Sequence, residues 1–271
     1  MFNNNADQAI TIKTSEEIEI IFQSNQIVSE VLDLLKSKIV EGVSTIELDR
    51  LAETYCCDHG ALPAFKNYKG YPASLCASVN EEVVHGIPSK KKILRQGDII
   101  SLDFGVYYKG FYGDAAITVA VGDVAHDVAL LLDVTETALQ KGIEQVKVGN
   151  RISDVSCAIQ QHVEAHGFSV VRQFVGHGIG AQLHEPPEIP NFYQRRQASP
   201  RILEGMVLAI EPMVNMGGAE VKILQDQWTV VTVDRKPSAH FEHSVAVSRQ
   251  GPRILSKRPS RETARAIVKK T

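Results

Sequence analysis

No stretch of this chain approaches the roughly 18 consecutive apolar residues that crossing a bilayer requires, and no membrane partner is expected. The first thirteen residues are polar, without the apolar centre of a signal peptide or the arginine-rich character of a transit peptide. The four cysteines, Cys56, Cys57, Cys76 and Cys157, include one adjacent pair and no Cys-x-x-Cys. They suggest neither a disulfide framework nor a thiolate zinc site, so a reducing, cytoplasmic setting is expected. A formal net charge of −3 supplies no global field for nucleic acid, and specific DNA binding is not expected. The glycine-rich stretch Gly176–Gly180 is followed by no Lys-Ser/Thr, which argues against a phosphate-cradling loop. A long coiled-coil pattern is also missing, which makes a monomer the expectation. What is present, 44% hydrophobic and 23% charged residues over 271 positions, suits an ordinary globular chain with a sizeable core.

Thr14 and Glu17 form the signature of a capping box. Ile18, Ile21, Phe22, Val28, Val31, Leu32 and Leu35 then recur near the helical period, which predicts a helix over about residues 15 to 40. Ser44 or Thr45 caps a second helix that Gly60 ends. A strand-rich block over about 74 to 121 follows, then helical patterns near 126 to 144 and 151 to 166, then a second strand-rich block over 169 to 249. This order suggests an internal duplication. Ile46 to His59-Gly60 resembles Ile152 to His166-Gly167, at offsets of 106 and 107; Gly97 to Asp103 resembles Gly205 to Glu211, at an offset of 108. His85-Gly86-Ile87 recurs as His177-Gly178-Ile179 at 92, so the intervening loops must differ. The expected organisation is a tail over 1–13, one domain over 14–250 with halves of about 14–122 and 123–250, and a basic tail over 251–271.

Asp98 to Tyr108 alternates with the two-residue period of a strand. Ile100, Leu102, Phe104 and Val106 face one way, Ser101, Asp103 and Gly105 the other. A two-residue turn at Lys109-Gly110 pairs Tyr108 with Phe111, Asp103 with Ala116 and Gly105 with Asp114. The two aspartates then share a face as diagonal neighbours about 7–8 Å apart. They are either solvated acids at a hairpin or a site for a divalent cation, which carboxylate oxygens suit. Glu211 interrupts an apolar strand, Met206 to Met213, where a carboxylate without a partner is costly to bury. A further strand, Ala239 to Val245, puts Glu242 on a face with Ser244 and Ala246, and sends His243 to the apolar side. His177 stands between glycines, where backbone can come close to a ligand. His184 precedes Glu185-Pro186-Pro187 in what reads as a turn, and His126, His162, His166 and His240 read as structural histidines.

Asn80-Glu81-Glu82-Val83-Val84-His85-Gly86-Ile87-Pro88, Gly176-His177-Gly178-Ile179-Gly180, Ile210-Glu211-Pro212-Met213 and Phe241-Glu242-His243 together resemble the type I methionine aminopeptidases. The Asp103 and Asp114 pair and Trp228-Thr229-Val230 fit the same pattern, and the resemblance spans about residues 14 to 250. It implies an α+β pita-bread fold, two pseudo-symmetric halves with a curved antiparallel sheet covered by helices. It implies cotranslational removal of the initiator methionine before a small second residue, with the N-terminus of nascent peptides as substrate. Asp103, Asp114, His177, Glu211 and Glu242 would hold two divalent ions (Co, Mn, Fe, Zn or Ni), since so oxygen-rich a set selects weakly among them. Glu211 would move the proton of an activated water, His184 would stabilise the oxyanion, and His85 would contact the substrate backbone and assist the leaving nitrogen.

By the same resemblance the methionine slot would draw on Tyr68, Tyr71, Cys76 and Trp228. Phe65 stands where many relatives have cysteine, and Leu183 where an aromatic is common, so the slot or the room for the second residue is expected to differ. The basic segment from Gly251 carries seven Arg or Lys against Glu262; it reads as solvated, with the ribosome exit region as a candidate partner. On the same fold an X-Pro aminopeptidase or prolyl dipeptidase is the alternative, although those relatives generally have a separate N-terminal domain. A non-catalytic relative that binds RNA or a partner would have lost metal ligands, and a dinuclear phosphoesterase fits the Gly-His-Gly-Ile-Gly context poorly.

Overall fold

The structure is a computed structural model that describes residues 9–193 and 199–257. Its elements follow the predicted alternation. Helices α1 (Ser15–Lys36) and α2 (Thr45–Asp58) precede β1 (Leu62–Pro63), β2 (Cys76–Val79), β3 (Glu82–Val84), β4 (Ile99–Tyr108) and β5 (Phe111–Ala120). Helices α3 (His126–Glu144) and α4 (Ile152–Ala165) come next. The second strand block holds β6 (Ser169–Val170), β7 (Gly176–Gly178), β8 (Glu185–Ile189), β9 (Val207–Ile210) and β10 (Met213–Asn215). It closes with β11 (Val221–Ile223), β12 (Val230–Thr232), β13 (Ser238–His240), β14 (Glu242–Ser248) and β15 (Gly251–Ile254).

The main sheet runs β1-β4-β5-β14-β9-β7-β8, with β2 also on β4 and β15 also on β14. Every pairing among the described residues is antiparallel. Helices cover one face. Leu32 and Leu35 of α1 and Leu48 and Ala52 of α2 pack with Ile100, Leu102, Phe104 and Val106 of β4. Leu139 of α3 and Val155 and Ile159 of α4 pack with Leu208, Ile210, Val245 and Val247. Each fully buried Leu, Ile, Val or Phe among these contributes about 1.5–3 kcal/mol. The face of β4 that carries Asp103 therefore looks away from the helices, by strand alternation alone.

The two helix pairs carry matching details. Each of α2 and α4 ends in a histidine whose Nδ1–H donates one turn back, His59 to Tyr55 O (2.7 Å) and His166 to His162 O (2.8 Å). Gly60 and Gly167 follow in the left-handed region, at φ 69° and 79°. Gly42 N donates to Leu94 O and Gly149 N to Ile202 O. Isolated bridges join Ser44 to Ile93 and Arg151 to Arg201.

Four expectations need correction. The strand read as Met206 to Met213 is β9 and β10, broken at Glu211-Pro212. The strand read as Ala239 to Val245 is β13 and β14, broken at Phe241, and the two pieces lie in different sheets. Glu185-Pro186-Pro187 is not a turn but the start of edge strand β8, where proline's missing donor is tolerated. The fold also reaches into both segments read as tails. Lys13 donates its backbone N–H to Gly205 O, and β15 pairs with β14 because Gly251-Pro252-Arg253-Ile254 can complete a hairpin. The basic tail beyond 257 and its ribosome contact lie outside the described residues.

Helix α1 sits close to the sheet through Gly113, where an added Cβ would stand 2.7 Å from Asn25 N and 2.8 Å from Ser24 C. Gly113→Ala is expected to push α1 outward and to destabilise the fold by about 1–3 kcal/mol; urea denaturation reads this as a lower midpoint.

Candidate metal centre and substrate cavity

The β4–β5 hairpin turns through Lys109 and Gly110 at φ 49° and 90°. Tyr108 pairs with Phe111, Asp103 with Ala116 and Gly105 with Asp114, the register that the turn predicts. Across the next strand Ala116 pairs with Glu242, so Cys76, Asp103, Ala116 and Glu242 form one row over β2, β4, β5 and β14. His243 pairs with Ile210, which sets Glu211 beside Glu242. A second row lies one pleat away, where Ser244 Oγ donates to Asp114 O (2.8 Å), Ser244 pairs with Ala209, and Ala209 with His177. The residues between the acids are Gly, Ala or Ser, so no large side chain fills the space over them.

Glycines bring His177 into this row. An added Cβ on Gly176 or Gly178 would collide with the backbone oxygen of Ala209 or Pro186 respectively. His177 Nδ1–H donates to Gly178 O (2.9 Å), which leaves the Nε2 lone pair facing Glu211 Oε1 at 3.4 Å. Asn25 Oδ1 accepts from Asp114 N (3.3 Å), tying the strand to α1.

Asp114, Glu242 and His177 are buried. Asp103 Oδ1, Asp114 Oδ1 and Glu242 Oε1 are buried without a hydrogen-bond partner. Burial pushes Asp103 up to about 7. Burial, reinforced by the other carboxylates, pushes Asp114, Glu211 and Glu242 well above the usual carboxylate range. Burial pulls His177 down to about 4, so its ring is neutral. Ligand atoms of Asp114, His177 and Glu242 lie within 4.8 Å of one another. Unpartnered acceptors, crowded negative charge and a neutral imidazole with a fixed tautomer are what a divalent cation requires. The residues fit a metal.

Above this floor opens a cavity of about 380 Å³, and every site residue named from the sequence lines it. His184 lies against His177 with the rings tilted by 37° (centroids 4.2 Å), and its Nδ1 is hydrogen-bonded to Tyr68 Oη at 2.9 Å. Trp228 meets Tyr71 edge-on at 5.2 Å and His85 at 6.2 Å. Tyr71 Oη donates toward Leu75 O and Gly86 O, so its hydroxyl is anchored and its ring serves as wall. Phe65 lies against Gly105, its Cε1 2.7 Å from where a Cβ would be. Leu183 is buried beside it in the same apolar cluster as Cys76, whose thiol burial keeps protonated.

Phe174, Met213 and His240 also line the cavity and were not foreseen. His240 Nε2 lies 3.8 Å from Glu211 Oε2, and both ring nitrogens are buried without a hydrogen-bond partner. The structural role read for it from sequence misses this exposure to the cavity. Its signal was parity with Glu242, two residues on. His243 does take the opposite face, but its Nδ1 is hydrogen-bonded to Ser256 Oγ (2.8 Å) rather than packed among apolar groups alone.

The profile of metallopeptidase family M24 matches residues 19–249. The chain belongs to metallopeptidase family M24. A methionine aminopeptidase of Clostridium perfringens is 52% identical over 247 residues, 91% of this chain and 98% of that one. Methionine aminopeptidase 1 of Bacillus subtilis is 50% identical over 248 residues, 92% and 99%. The crystal structure of a Thermotoga maritima methionine aminopeptidase superposes with a TM-score of 0.90 at 43% identity, covering 92% of this chain and all of that one. An Xaa-Pro dipeptidase from Bacillus anthracis reaches 0.73 at 25%, and the M24 chain described here spans 62% of it. The architecture is therefore the pita-bread fold, and divalent metal use follows from the M24 family together with the acid–histidine cluster.

The metal-free M24 centre has a definite pH signature. Between the ordinary carboxylate range near 4 and the raised values, the folded chain holds protons that the unfolded chain releases, so the cluster costs stability as pH rises. A cation binds the deprotonated form and reverses this. Mn²⁺ added to chelator-stripped protein should raise the melting temperature strongly at pH 7.5 and far less at pH 5. Equal shifts by scanning fluorimetry would contradict the cluster.

Proposed function

We propose that Asp103, Asp114, His177, Glu211 and Glu242 hold two divalent ions, and that the cavity above them receives the N-terminal methionine of a polypeptide. The chain is a methionyl aminopeptidase, a metal-dependent exopeptidase that removes the initiator methionine. One observation carries the chemistry: buried carboxylate oxygens without partners sit at the floor of a cavity walled by aromatic rings. Near-full-length identity of about 50% to methionine aminopeptidases supports the substrate. The X-Pro alternative rests on far more distant relatives.

Bound divalent cations would supply Lewis acidity to the attacking water and the scissile carbonyl. Glu211, at the edge of the floor, takes the water's proton and returns it to the departing amine. His184, turned toward the cavity by Tyr68, donates to the oxyanion as charge develops. His85, held neutral by a burial that lowers it to about 4, contacts the substrate backbone on the leaving side. Tyr71 and Trp228 give the methionine an apolar wall that suits a thioether; Phe65 narrows the slot where many relatives carry cysteine, and Leu183 leaves more room where an aromatic is common. No helix among the described residues is long and apolar enough to cross a membrane.

Asp114→Asn is expected to lose metal and activity together, measured by bound-metal analysis beside peptide hydrolysis. His184→Ala should keep its metal while turnover falls about 10²–10³-fold. With metal supplied, Met-Gly and Met-Ala peptides should be cleaved, and Met-Phe and Leu-Gly peptides left intact. Hydrolysis of Leu-Gly at a comparable rate would refute the methionine slot.

A further inference from the structure

We propose that Lys13, in the segment ahead of α1, is a positioning residue that sets His184 through Glu185. This rests on the reading that His184 acts in turnover. Lys13 lies 171 positions from His184 and lines no part of the cavity. Its Nζ forms an ion pair with Glu185 Oε2 at 2.6 Å, with side chains 3% and 7% exposed. Glu185 Oε1 accepts the backbone N–H of Gln182 at 3.0 Å. One carboxylate therefore closes the loop that contains Leu183 and His184, and Lys13 holds that carboxylate in place.

The clamp is anchored on several sides. Lys13 Nζ also donates to Thr11 O (3.1 Å), and Lys13 N to Gly205 O (2.8 Å), just ahead of the strand that leads to Glu211. At the start of the same loop, Gly180 leaves no room for a side chain. A Cβ there would stand 2.5 Å from Lys13 Cε and 2.7 Å from Glu185 Oε1. Gly180 O accepts from Tyr112 N (2.9 Å), two residues before Asp114. The loop is thus pressed between the lysine and β5, and His184 meets His177 and Tyr68 from that fixed base.

A buried ion pair is a poor device for stability alone, since apolar replacements of the same size often do as well. It does enforce geometry. Without the ammonium, the Glu185 carboxylate is buried without a counter-charge and must turn toward water, which frees Gln182 and lets His184 drift. A displacement of about 1 Å at a reacting centre costs as much as 10²-fold in rate.

The test crosses Lys13→Met with His184→Ala, reading kcat and KM on a Met-Ala-Ser peptide with bound metal measured for each variant. Lys13→Met should lower kcat about 10- to 100-fold, with KM within about twofold and metal content unchanged. In the His184→Ala background the same change should alter kcat by less than about twofold, and Lys13→Arg should recover most of the loss. An equal loss in both backgrounds, or a loss carried by KM, would overturn the proposal. If Lys13→Met does not fold, Lys13→Met with Glu185→Met removes both charges and enters the same cross with the same expectation. Unaltered turnover in His184→Ala alone would overturn the role of His184 itself, and the positioning role with it.

Discussion

Crowding four carboxyl groups onto the buried side of one sheet costs free energy that the bare chain does not recover. Burial raises all four acids, and neighbouring carboxylates raise Asp114, Glu211 and Glu242 further. Three of their oxygens lack any hydrogen-bond partner. Cation binding is therefore written into the stability of this fold, because a divalent charge at the centre converts mutual repulsion into attraction. The neutral, tautomer-locked imidazole of His177 completes this set of electron-pair donors.

The surrounding architecture serves that crowding. The rows Asp103–Ala116–Glu242 and Ser244–Ala209–His177 separate the ligating groups with small residues, so the pleat itself provides the spacing. Larger residues at those positions would fill the space above the acids. Behind the sheet, two helix pairs supply the apolar burial that offsets the strained centre, and Gly113 lets α1 approach closely enough for Asn25 to hold the backbone of Asp114. Above it, aromatic rings at edge-on angles form a cavity whose walls are apolar and whose floor is charged. Such a division suits a substrate with an apolar first side chain and a polar terminus beneath it.

Much of this was legible in the chain. Alternation from Asp98 to Tyr108 and the Lys109-Gly110 turn fixed the hairpin register and put Asp103 and Asp114 on one face. Thr14 with Glu17 marked the start of α1, and the duplicated Gly–acid spacing pointed to Glu211. Breaks within apolar runs were harder to see. Phe241 carries the hydrophobic pattern straight through, yet β13 and β14 join different sheets there, because strand propensity says nothing about which neighbour a strand meets. His240 was read as structural for the same reason, since its parity with Glu242 has meaning only once β13 and β14 are seen to border the same cavity.

The sequence by itself determined which residues could share a face, since helical and strand periods are local and follow from backbone geometry. It also determined, through motifs in a specific order, the M24 family. Tertiary structure decided what converges: that Phe174, Met213 and His240 enter the cavity, that the residues after Gly251 complete a hairpin, and that Lys13 reaches Glu185. Those facts depend on contacts between segments tens to hundreds of residues apart, and such contacts are set by packing and chain closure rather than by any local period.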